Sequence, residues 1–86
     1  MKKPMYMIES ILEYPNQFST NNAVKETLYY DGEETAFGMY WELINMLEVG
    51  KERDILVSGT HHVLLYKRSD PFSDTWTHVC GYKMLV

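Results

Sequence analysis

The chain has 86 residues, 45% hydrophobic and 14% aromatic, with a formal net charge of -4. A chain this short buries only about 60 % of the surface its unfolded form exposes, so one domain with a small core is expected over residues 1–86, and the apolar content excludes a disordered segment. The charge is uneven: Pro4 to Gly50 holds eight acids against Lys25 alone, net -7, which argues against nucleic acid as a partner and for a solvated acidic face or a surface that competes with phosphates for a basic groove.

The opening MKKPMYMIE is interrupted by Pro4 and Glu9, so it is expected to be mature sequence rather than a secretory signal. Met5 to Tyr14 then predicts a strand. Alternation places Tyr6, Ile8, Ser10, Leu12 and Tyr14 on one face and Met5, Met7, Glu9, Ile11 and Glu13 on the other. Both faces are largely apolar, and the second sets Ile11 between two carboxylates, the pattern of a strand that meets an apolar and a donor group on one partner. A polar, turn-forming connection follows over residues 15–22. Lys25 to Tyr30 predicts a second short strand.

Asp31 is the expected N-cap of a helix from about Glu33 to Val49. Glu34 completes a capping-box-like spacing, and Gly50 with Lys51 and Arg53 provides the stop. Apolar residues from Ala36 to Leu47 cover well over half of this helix's circumference, wider than the stripe of an ordinary surface helix. A sheet is expected on one flank and a second contact, or a loop such as residues 16–24, on the other. Beyond it, Asp54 to Thr60 predicts a strand paired with His61 to Lys67, then a loop from Ser69 to Asp74, then strand from Thr75 to Cys80, a bend at Gly81, and Tyr82 to Val86. The expected fold is α+β: a small antiparallel sheet of about five strands with one main helix packed on it.

Chemical motifs are sparse. His78 and Cys80, two apart on a strand, would share a face, but no paired ligand spacing accompanies them, so neither a metal site nor a cofactor is expected. Cys80 has the surroundings of a buried, inert thiol, and Glu9 and Glu13 lie roughly 13 Å apart on a strand, too far for a carboxylate pair in catalysis. The chain is therefore read as a binding protein and not an enzyme. A single cysteine and the lack of an apolar run of ~20 residues point to a cytoplasmic protein with no membrane partner.

Several fragments, in order, resemble the phage-encoded uracil-DNA glycosylase inhibitors: Glu9-Ser10-Ile11-Leu12 with Pro15 close behind, Asp54-Ile55-Leu56-Val57, Val63-Leu64-Leu65 leading to Ser69-Asp70-Pro71 and Trp76, and Lys83-Met84-Leu85. The resemblance covers about a fifth of the chain; it departs in a longer stretch between Pro15 and the helix and a shorter central hairpin. It implies a monomeric DNA mimic, carried by a phage or mobile element, that binds uracil-DNA glycosylase one to one in the host cytoplasm. Glu9, Ser10 and Ile11 would form the DNA-mimicking edge. An apolar pocket between helix and sheet would take the enzyme's DNA-intercalating side chain, with Val57 lining it, Leu64 or Tyr66 beside it, and Met39, Leu43, Met46 and Leu47 on the helix side. The alternatives are an acidic mimic directed at another host defence nuclease, and a small homodimeric interaction module of a mobile element.

Overall fold

The computed structural model describes residues 3–15 and 21–86. Strand β1 (Tyr6–Pro15) and strand β2 (Asn21–Tyr30) form a hairpin, helix α1 (Glu33–Glu52) crosses the sheet, and strands β3 (Thr60–Arg68) and β4 (Trp76–Leu85) form a second hairpin. The four strands are antiparallel to their neighbours in the order β2-β1-β3-β4. The α+β class and the single main helix are as expected. Among the described residues the sheet has four strands, where about five were expected.

Alternation on β1 sends Tyr6 and Ile8 towards the helix, where they meet Val63 and Leu65 of β3 and Ala36, Tyr40 and Ile44 of α1. Ile8, Val63 and Leu65 are fully buried. Each such side chain contributes roughly 1.5–3 kcal/mol relative to exposure, a large share of the stability of so small a domain. The helix residues recur at intervals of four, one ridge along the helix. The flank beyond that ridge has no cover from the described chain: Trp41 and Met46 are each 61% exposed. Residues 16–20 of the expected polar connection lie outside the described residues, and β2 begins at Asn21, earlier than Lys25.

The helix begins at Glu33 as expected, but its cap residue and its far end differ from expectation. Gly32 is the N-cap and makes no side-chain cap bond; its carbonyl accepts from the Ala36 N–H, while Glu33 and Glu34 sit in the first turn, where the helix dipole favours carboxylates. At the other end the helix runs through Gly50 to Glu52. The left-handed residue that stops it is Asp54 (φ 57), with Asp54 N donating to Lys51 O and Ile55 N to Gly50 O, the paired bonds of a Schellman motif. Gly50 serves a different need: a Cβ there would lie 2.7 Å from Leu56 Cδ2, so the missing side chain is the seat of Leu56.

This overrun removes the strand expected at Asp54–Thr60. Its first residues are consumed in ending the helix, and what remains is an irregular segment leading to Gly59, whose N–H and carbonyl exchange hydrogen bonds with Val86. β3 pairs instead with β1 and β4. The last strand runs straight through Gly81. The irregularity sits at Val79, since Leu65 opposes Cys80 while Tyr66 opposes His78. That extra residue inverts the alternation, so His78 lies beside Tyr66 on the open face of the sheet and Cys80 packs against the core. The two do not share a face.

Burial, with the Cys80 thiol beside it, pushes the Tyr40 hydroxyl up to about 12. An unfolded Tyr ionises near pH 10.0, so the stability held by neutral Tyr40 is complete below that pH and is lost as pH rises through about 12. Tyr40→Phe should flatten the alkaline limb of denaturant-midpoint curves over that interval, and an unaltered limb would contradict this assignment. Two glycines should respond oppositely to alanine. Gly59 has φ 148 and a Cβ there would lie 2.5 Å from Glu13 O, so Gly59→Ala should cost about 1–3 kcal/mol. Gly38 has nothing within 4 Å in mid-helix, so Gly38→Ala should stabilise by up to about 1 kcal/mol in the same unfolding measurement.

Candidate functional site

An apolar cavity of about 420 Å³ opens between the C-terminal half of α1, the sheet, and the segment after the helix. Its floor is Ser10 on β1 and Val63 on β3; Leu43, Met46 and Leu47 form the helix wall, and Ile55 and Leu56 the opposite wall. The origin of the space is local. Tyr6 and Ile8 fill the ground under the first half of the helix, but the next inward residue is Ser10, and the matching position at the end of the helix is Gly50. Leu56 takes the space at Gly50, and the small Ser10 side chain leaves the remaining void.

None of the lining residues carries an ionisable side chain; Ser10 and Asn45 are its polar side chains. Among the described residues no cluster of three or more His, Cys, Asp or Glu could hold a metal ion. Among the described residues no helix is long and apolar enough to cross a membrane. The arrangement can bind an apolar group and exclude water around it.

The residues singled out in the sequence fall in three places. Ser10, Leu43, Met46 and Leu47 meet in the cavity. Glu9, Ile11, Leu64 and Tyr66 lie on the other face of the sheet, because Glu9 opposes Leu64, and Met7 opposes Tyr66, and opposed residues share a face. Leu64 and Tyr66 therefore cannot flank the cavity; their neighbours Val63 and Leu65 point that way. Met39 packs against the core nearer the start of the helix, and Val57 is 61% exposed and outside the cavity lining. Ile55, Leu56 and Val63 line the cavity without having been singled out. Ile55 and Leu56 were hidden by the strand reading of their segment, and Val63 needed the register of β3, which alternation alone leaves open.

β1 is an interior strand. It is paired with β2 from Tyr6 to Pro15 and with β3 from Tyr6 to Glu13, so Glu9-Ser10-Ile11 is not a sheet edge and its backbone is committed to two ladders. The edges are β2 and β4. The Glu9 carboxylate has a partner within the chain: Lys25 Nζ lies 2.6 Å from its Oε2, with side-chain exposures of 56% for Lys25 and 12% for Glu9. The hydrogen bond to Glu9, then the charge of Glu9, hold the Lys25 ammonium above its ordinary range. Glu13 lies 3.3 Å from His62 Nε2. Tyr82 on β4 donates to Glu48 on the helix at 3.3 Å, and burial followed by the nearby carboxylate raises the Tyr82 hydroxyl.

The open face is not bare. Tyr29 and Trp76 come from the two edge strands and approach to 6.3 Å between ring centroids, while Met7 beneath this layer is only 9% exposed. Arg68, 6% exposed, stacks its guanidinium 4.0 Å from the Trp76 ring and donates from Nε to Pro4 O at 2.8 Å and from Nη1 to Ser73 O. The face thus carries a self-packed aromatic layer, with Arg68 tying the start of β1 to the loop between β3 and β4. No family model matches the chain, and neither a curated protein sequence nor a solved structure is significantly similar to it.

Proposed function

We propose that this protein is a proteinaceous inhibitor of uracil-DNA glycosylase that binds the enzyme one to one, receiving in its apolar cavity the side chain the enzyme otherwise drives into DNA. The observation that carries the reading is the cavity itself, which lies between helix and sheet where the resemblance of Glu9-Ser10-Ile11-Leu12 to the inhibitor family implies one, with Ser10 of that motif as its floor.

The chemistry fits a DNA-directed enzyme. Such an enzyme presents donors for phosphates and an apolar wedge that unstacks the duplex before the base is flipped. Helix α1 carries five acids, Glu33, Glu34, Glu42, Glu48 and Glu52, against one base, Lys51. A groove built for phosphates attracts such a surface from a distance, and the wedge then gains hydrophobic burial in the cavity. Glu9 contributes less in this account than its place in the motif suggests. To meet the enzyme it must leave Lys25, and it lies on the face opposite the cavity.

Uracil excision from single-stranded DNA tests the proposal. The wild-type protein in molar excess should abolish excision, and full activity across several bacterial glycosylases would overturn it. Met46→Lys should weaken inhibition by roughly a hundredfold or more, since Met46 is exposed enough to be replaced without unfolding and an ammonium at the cavity mouth must be desolvated when the wedge enters. Met39→Lys, away from the cavity, should leave inhibition within about threefold in variants shown by thermal melt to be folded, and Glu9→Ala should weaken it by no more than about tenfold.

A further inference from the structure

One wall of the cavity is built differently from the rest. Leu43, Met46 and Leu47 ride on a helix and Ser10 and Val63 on paired strands, but Ile55 and Leu56 belong to the short irregular segment between helix and sheet. Among the described residues two have positive φ, Asp54 (57) and Gly59 (148), and they bracket residues 55–58. Ile55, which lines the cavity, is 71% exposed, so a large apolar side chain stands in water at the cavity mouth, and Val57, two residues on and outside the lining, is 61% exposed.

The segment's inner hold is small. Leu56 rests on Gly50, and the backbone bonds at its ends are those of the helix stop and of Gly59 with Val86. Between these ends, among the described residues, one side chain fastens it: His61, 8% exposed at the start of β3, has Nε2 2.9 Å from Val57 O. A carbonyl oxygen only accepts, so Nε2 carries the proton and donates.

We propose that residues 55–58 form a strap that closes over an apolar side chain entering the cavity from a protein partner, turning at Asp54 and Gly59, with His61 as the positioning residue that holds its resting place. Closure would bury Ile55 and give the occupant a second apolar wall. This inference rests on the proposed function, with the glycosylase's DNA-intercalating side chain as the occupant.

The test uses an anilinonaphthalene sulfonate dye as a cavity probe beside the glycosylase, with amide hydrogen exchange across residues 55–58. In the wild type, dye or glycosylase should slow exchange in the strap. His61→Leu, which fills the space but cannot donate, should speed strap exchange and weaken dye binding by roughly tenfold, whereas His61→Gln, whose amide can donate to Val57 O, should restore both to within about threefold. Unchanged exchange on ligand binding to the wild type, or a folded His61→Leu variant that matches the wild type, would overturn the proposal. If the dye and exchange results follow expectation while no glycosylase binds the wild type, the strap stands and the enzyme assignment fails.

Discussion

Burial of Ile8, Val63 and Leu65 beneath Ala36, Tyr40 and Ile44 is the interaction on which the rest of the molecule depends. With one helix and four strands, only one face of the sheet can be covered, and the covering residues of β1 and β3 must be neighbours for their side chains to form one floor. That places β1 in the centre. Both consequences that matter for function follow: the Glu9-Ser10-Ile11 backbone is locked between two ladders, and its side chains are divided, Ser10 to the helix and Glu9 and Ile11 to the open face. A partner meeting the cavity touches Ser10 and the end of the helix, and does not meet Glu9 on the same surface.

The open face shows how a small sheet manages a side with no second layer. Long side chains fold over it from the edges, Tyr29 from β2 and Trp76 from β4, and shield Met7. Arg68 is the fastening. Its buried guanidinium is satisfied by two carbonyls and the Trp76 ring, which offsets the cost of removing it from water. The ion pair of Lys25 with Glu9 lies on the same face, so the motif's carboxylate belongs to the chain's own electrostatics before it can belong to a partner's.

Local order was the legible part. Period-two alternation from Tyr6 to Tyr14 and the apolar stretch from Ala36 to Leu47 identify β1 and α1 because the backbone period of each element fixes which side chains share a face. The sequence misleads where a tertiary contact overrides a local signal. Gly50 reads as a helix stop, but its missing Cβ seats Leu56 and the helix continues, so Asp54–Thr60 never becomes a strand. His78 and Cys80 read as neighbours on one face until the extra residue Val79 turns them apart. Of the cavity, Leu43, Met46 and Leu47 were visible from helix periodicity and Ser10 from the motif. Val63 and the strap residues Ile55 and Leu56 were not, because strand order and register are set by long-range pairing that no single segment encodes.

The central claim is that the space left by Ser10 is the binding site. Ser10→Leu tests it most directly, because a leucine in that position points into the cavity and adds apolar volume where the fold has room. The account predicts a variant at least as stable to thermal melting as the wild type that no longer inhibits uracil excision. A folded Ser10→Leu protein that inhibits as the wild type does would contradict it and would move the binding surface away from the cavity.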